Sequence, residues 1–278
     1  MAMPAVEFGQ VYSVPFVDEV LAWDGARRDA HPRLRPYVAG YSGYDMLPSG
    51  AVVCRMLPTA LLTVNVDFVA PQGLPDMAPL LTGLHGAGSV AGHTGRRHGI
   101  GIGLTPRGAF ALSGVPMAEL TGKAVDLGEL IGARADELAE RLAYASDWPA
   151  RFDLLDELLT RWIAAGPATA DAVTIAWRRL WSTAGRTRIS QVAEELGLSR
   201  RRLEMRFAEQ IGITPKLLAR VLRFQHALRL ICGAEPVTLA QVAIRCGYAD
   251  QAHLAREVRS LAGCSPTELA KRPQWIDI

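Results

Sequence analysis

Cysteine is scarce: Cys54, Cys232, Cys246 and Cys264 are scattered through 278 residues with no Cys-x-x-Cys among them. That excludes a disulfide framework and a cysteine-based zinc site, and it fits reduced thiols in a cytoplasm. No apolar run approaches the ~18 residues needed for a membrane span, so no contact with a membrane is expected. The N-terminus has no basic flank leading into an apolar core, so no secretory signal is expected and the expected location is cytoplasmic. Gly-x-Ser-x-Gly, a phosphate-loop lysine and a Cys–His arrangement are all missing. The expectation is therefore no catalytic residue, no cofactor and no bound metal. His85, His93 and His98 share one glycine-rich segment but lack a His-x-His pair with a nearby Glu, and read as solvent-facing loop histidines. Gly99-x-Gly101-x-Gly103 lacks the Gly-x-Gly-x-x-Gly spacing of a dinucleotide loop and reads as a strand.

Lysine is also rare, so the positive charge is almost entirely arginine, the side chain suited to bidentate contacts with phosphate and guanine. A net charge of +2 hides an asymmetry. Residues 171–278 carry 17 Lys and Arg against 10 Asp and Glu, a net of +7, whereas residues 1–170 carry 13 against 18, a net of −5. Only the C-terminal part is expected to meet nucleic acid.

That part writes one pattern twice. The first copy is Ala193-Glu194-Glu195-Leu196-Gly197, then Leu203, Phe207, Gly212, Thr214 and Pro215. The second is Ala243-Ile244-Arg245-Cys246-Gly247, then Leu254, Val258, Gly263, Ser265 and Pro266. A small residue four before a glycine, with apolar residues beyond it, is how two short helices meet at a tight turn. Such a helix-turn-helix lays its second helix in the major groove of duplex DNA.

In the first unit Ser190 is the expected cap of the leading helix and Ser199 that of the second, Arg200 to Glu209. Leu203 and Phe207 share one stripe, which turns Arg201 and Met205 outward. An arginine-rich start opposes the helix dipole, a conflict that a phosphate backbone relieves and a merely solvated face does not. In the second unit Val237–Ala243 supplies the leading helix, and Asp250 caps the next one, through Arg259. Leu254 and Val258 point inward, Ala252 and Arg256 outward, with Gln251, His253 and Ala255 flanking. Between the units a helix from Pro215 to Cys232 presents Leu218, Val221, Leu222, Ala227, Leu228 and Ile231 as apolar positions. The candidate DNA contacts are Ser199, Arg200, Arg201, Arg202, Glu204, Met205, Arg206, Lys216, Gln251, His253 and Arg256. Arg201 and Arg256 are expected to read bases, and Arg206 and Lys216 to contact phosphates.

The segment from about Val173 to Arg272 resembles the DNA-binding domain of AraC/XylS-type transcription regulators. The likeness rests on Val192-Ala193 with Gly197-Leu198-Ser199, on Gly212-Ile213-Thr214-Pro215, on Arg220 to Leu228, and on Val242-Ala243 with Gly247-Tyr248-Ala249-Asp250-Gln251. It implies two helix-turn-helix units joined by a long helix. Val258 stands where the family usually carries Phe, and Leu218 where an aromatic is frequent.

Upstream, Ala51–Met56, Leu61–Val69 and His98–Leu104 read as strands, and Arg134–Ala145 and Trp148–Ala165 as helices. This half resembles the sensor-type N-terminal domain of some AraC-like regulators through Pro32-Arg33-Leu34-Arg35-Pro36-Tyr37, Met56-Leu57-Pro58, Gly101 to Ala109 and Leu120-Thr121. The expected fold class is α+β, with a β-rich sensor domain followed by helices and then an all-α C-terminal domain. The expected boundaries are 1–165 for the sensor and dimerisation domain, 166–172 for a linker and 173–272 for the DNA-binding domain. The resemblance implies control by a small-molecule effector, by homodimerisation or by both, with RNA polymerase as a further partner. The helices from Arg134 to Ala165 are the expected dimer contact, and an apolar pocket is expected near the strands. The alternative is a DNA-targeted enzyme or repair regulator with a catalytic N-terminal domain.

Overall fold

The structure is a computed structural model that describes residues 11–15, 22–47, 52–69, 79–167, 171–233, 235–271 and 276–277. In chain order the N-terminal half holds β1 (Val11–Pro15), β2 (Ala22–Asp29), β3 (Val38–Leu47), β4 (Val52–Met56), β5 (Leu62–Val69), β6 (Leu80–Thr82), β7 (Ser89–His93) and β8 (Arg97–Leu104). Then come α1 (Pro106–Ser113), α2 (Met117–Leu120), β9 (Ala124–Asp126), α3 (Leu127–Ile131), α4 (Arg134–Tyr144) and α5 (Trp148–Ala164). The C-terminal half is helical: α6 (Asp171–Ser182), α7 (Ile189–Glu195), α8 (Arg200–Ile211), α9 (Pro215–Cys232), α10 (Leu239–Cys246), α11 (Gln251–Ala262) and α12 (Pro266–Ala270). A last short strand, β10 (Ile276–Asp277), returns to the N-terminal half. The α+β class expected from the sequence is the class observed.

The strands form two antiparallel sheets, ordered β10-β1-β4-β7 and β2-β3-β8-β5-β6-β9. In the larger one, β8 lies between β3 and β5 and alternates glycine with Ile100, Ile102 and Leu104, all fully buried. The glycines let flanking groups approach. Gly43 on β3 lies under the Trp148 ring, where a Cβ would collide with the indole. Tyr41 stacks on Phe152 of α5 with centroids 5.9 Å apart.

The stripes on α4 and α5 are spent on this core. Leu138, Leu142, Leu155, Leu158, Leu159 and Trp162 are all buried within the chain. The apolar stripes expected to make a dimer contact are thus packed against the chain's own sheet and α1.

One hydrophobic cluster runs from the larger sheet through α5 into Val173, Trp177 and Leu180 of α6 and on to Leu203 and Phe207 of α8. The segment that reads as a linker is packed at its start: a Cβ on Gly166 would strike the Ala111 carbonyl. Ala168 and Thr169 of that segment lie outside the described residues. A second cluster holds α9 to α12 and takes in Leu57 from the N-terminal half, fully buried there. Burying one leucine contributes roughly 1.5–3 kcal/mol.

Candidate nucleic-acid interface

The twice-written pattern has a geometric meaning. Gly197 and Gly247 adopt φ of 62° and 76°, the left-handed turn between the two helices of each unit. Gly212 and Gly263 adopt 85° and 71° and end α8 and α11. Beyond them Thr214 and Ser265 accept a hydrogen bond from the third backbone N–H of the next helix, and Pro215 and Pro266 open it where no N–H is required. Each repeated residue is therefore a cap, a turn or a core contact.

Two starts differ from expectation. Ser190 lies inside α7, whose N-cap is Arg188 without a side-chain bond. The leading helix of the second unit begins at Leu239, because Thr238 and Gln241 form a reciprocal capping box that overrides the apolar Val237.

On α8, Ser199 caps through Oγ, accepting from Arg202 N at 3.3 Å. Leu203 and Phe207 are fully buried, and Arg201 and Met205 are exposed, Met205 by 63%. Arg200 donates to Glu204 at 2.9 Å, so two of the candidate contacts neutralise each other one turn apart. Arg201, Arg202 and Arg206 have no acidic partner among the described residues. Lys216 is exposed in the first turn of α9, close in the chain to the end of α8.

On α11 the Asp250 carboxylate accepts from His253 N at 2.6 Å. His253 Nδ1 in turn accepts from Ala249 N at 3.3 Å, and its ring meets Tyr248 edge-on. With Nδ1 accepting, the ring's proton is on Nε2, which is free to donate. Gln251, Ala252 and Arg256 are exposed and Leu254 and Val258 fully buried, as the periodicity predicts. Glu257 accepts from Arg220 of α9 at 2.6 Å, which fixes α11 to the connector.

The connector α9 has 18 residues, about 27 Å at 1.5 Å each, with the bounds expected from the sequence. Of its expected apolar positions, Leu218, Val221, Leu222, Ala227 and Leu228 are buried and Ile231 is half-buried.

A basic cluster escaped the sequence. His226 of α9 lies among Arg186, Arg229 and Arg245, from the α6–α7 turn, α9 and the end of α10. Burial and then these three charges hold its imidazole below the usual histidine range. Burial also lowers Arg229, to about 10. Arg186 and Arg245 are exposed and border the second unit. Nearly sixty residues separate them in the chain, so only the fold brings them together.

A family model described as a helix-turn-helix domain matches residues 192–272. A probable thc operon regulatory protein of Rhodococcus erythropolis is 30% identical over 82 residues, 29% of this chain and 25% of its own length. The match thus spans a quarter of that relative. A probable AraC family transcriptional regulator from Rhodopseudomonas palustris aligns with 38% of this chain and 99% of its own, at 29% identity and a TM-score of 0.35. ToxT from Vibrio cholerae aligns with 96% of this chain and 99% of its own, at 11% identity and a TM-score of 0.47. Residues 192–272 are thus a helix-turn-helix domain, and they are similar to part of the operon regulator and to the AraC family regulator above.

Proposed function

We propose that this chain is a sequence-specific, DNA-binding transcription regulator whose N-terminal half governs its tandem helix-turn-helix half. The observation that carries the reading is the paired outward faces of α8 and α11. Arg201 with Met205, and Ala252 with Arg256, are exposed while the opposite stripes are wholly buried. A rigid connector of about 27 Å suits two reading helices directed at successive major grooves, roughly 34 Å apart.

In this reading Arg201 and Arg256 contact base edges, Met205 offers an apolar contact to a thymine methyl, and Gln251 and His253 donate at the start of α11. Arg202, Arg206 and Lys216 contact phosphates, and Ser199 acts as a cap that aims the helix. The Arg186 and Arg245 pair adds a phosphate contact beside the second unit. The division into 1–165, 166–172 and 173–272, cytoplasmic action, effector control, self-association and engagement of RNA polymerase belong to the same proposal. The enzymatic alternative has no observation in its favour.

Selection of duplex DNA from a random pool by the full-length protein tests this. Enrichment of one motif, with affinity falling steeply as salt rises, is the expected result. Neutralising about six phosphates gives a slope of roughly −5 in log K against log salt. Failure to enrich any motif, or salt-independent binding, overturns it.

A further inference from the structure

The two cores of the helical half meet on one helix. Leu218, Val221 and Leu222 of α9 belong to the cluster that holds α8, whereas Phe224, Ala227 and Leu228 belong to the one that holds α11. Each reading helix is thus seated on its own part of the connector, and the angle between them depends on how firmly both parts are held.

A second link runs outside α9. The Thr121 hydroxyl meets the Gly212 carbonyl at the end of α8. Gly122 donates to Leu84 O at 2.8 Å and Gly83 to Lys123 O at 2.9 Å, which joins that contact to the segment following β6. Four residues beyond Leu84, Gly88 donates to Leu261 O at the end of α11, where Arg55 of β4 reaches Ala262 O. The stretch Leu84–Gly88 is therefore a strap between the ends of the two reading helices. Fully extended it would reach about 14 Å, so it passes a displacement from one end to the other rather than absorbing it. His85 Nδ1 donates to Ala87 O at 2.7 Å and braces the strap across Gly86, where a Cβ would press on Leu217 of α9. At Gly88 a Cβ would come within 2.9 Å of Leu261 O and 3.1 Å of Met56 O, so glycine lets the strap lie against α11.

We propose that this strap, clamped to α8 through Thr121 and to α11 through Gly88 and Arg55, is a second strut that fixes the separation of the reading helices. Thr121, Gly88 and Arg55 are then positioning residues that select the spacing of the two DNA half-sites. The inference rests on the DNA-binding reading above and adds a specificity to it. One extra base pair between half-sites moves the second by about 3.4 Å and turns it by about 34°. A braced pair of helices then engages one half-site and loses the gain from simultaneous engagement. A pair joined by α9 alone has more freedom to follow.

The full-length protein and its Thr121→Val/Arg55→Met double variant are titrated against three duplexes: the selected site, that site with one base pair inserted between its halves, and a single half-site. The parent should lose at least about thirtyfold on the inserted site, and the variant no more than about fivefold. Half-site affinity should stay within about twofold, because both reading faces are intact. Should the double variant fail to fold by circular dichroism, two glycines inserted between Gly86 and Ala87 lengthen the strap while keeping both clamps, and should relax the spacing in the same way. An equal loss on the inserted site in the parent and in a folded variant, or a variant weakened alike on all three duplexes, overturns the proposal and leaves the DNA-binding reading standing. A parent that selects no site overturns both.

Discussion

The Thr121 hydroxyl lies 3.0 Å from the carbonyl oxygen of Gly212, the residue that ends α8. The corresponding end of α11 is held in the same manner. Gly88 N donates to Leu261 O at 2.8 Å, and Arg55 donates to Ala262 O at 2.7 Å. Carbonyls at a helix C-terminus lack intrahelical donors and carry partial negative charge, so these contacts stabilise both helix ends. The N-terminal half thus grips each reading helix at equivalent points of the repeat.

Thr121→Val removes the shared hydroxyl, which also lies 3.1 Å from Met117 O, and should cost about 1–3 kcal/mol. Gly212→Ala should cost more. Its Cβ would collide with Thr121 and Met117, and its φ of 85° suits glycine. Urea unfolding of the full chain, read by circular dichroism, checks both, and Gly212→Ala as stable as the parent would contradict the described contact.

Gln225 of α9 is 1% exposed and donates from Nε2 to the Pro58 carbonyl at 2.7 Å. Gln225→Leu keeps bulk but strands that carbonyl, so a loss of about 1–3 kcal/mol is expected. Gln225→Glu should destabilise further at neutral pH, because a carboxylate would face a carbonyl in a buried site. Thermal unfolding at matched pH distinguishes the two.

Arg201→Ala and Arg256→Ala should each cost about 1–3 kcal/mol on a selected site and relax preference at one base position. Lys216→Ala should weaken all duplexes alike and reduce the salt slope by about one. Titration of each variant against the selected site and against single-base substitutions of it measures both effects. An equal loss on every sequence for Arg201→Ala would reassign that residue to the backbone.

Burial and three arginines depress the folded-state pKa of His226 below its unfolded value, near 6.5. The unfolded chain therefore binds more protons in the interval below pH ~6.5, and stability there rises with pH. The contribution is complete above the unfolded pKa and is lost as pH falls towards the folded one. His98, lowered chiefly by burial, acts with the same sign. Melting temperature should accordingly drop between about pH 7 and pH 5, and His226→Gln should flatten part of that slope. A slope unchanged by the substitution would remove His226 from the account.

The reading helices were legible because their determinants are local. Ser199 and Asp250 cap, Gly212 and Gly263 terminate, and the 3.6-residue period decides that Leu203 and Leu254 face inward. Ser190 misled because a serine near a helix start is a good cap on propensity alone, whereas the chain enters α7 in extended backbone at Arg188. The β2–β3 pair went unread, since β3 is buried along most of its length and shows no alternation. The stripes on α4 and α5 showed their period but not their partner, which is the chain's own sheet. The Arg186–Arg245 cluster needed the tertiary fold, because it gathers residues from separate elements.

The hydrophobic cluster that passes from the larger sheet into α6 and α8 has a thermodynamic consequence. Two bodies joined by a free tether would melt as separate calorimetric transitions. Here Trp177, Leu203 and Phe207 share their packing with the sheet, and Leu57 is sunk among α9 to α12. Opening either half leaves the other with an uncovered apolar face. Heat should therefore unfold the chain as one cooperative unit. A helical half released by proteolysis should melt earlier and expose surface to dyes that bind apolar patches.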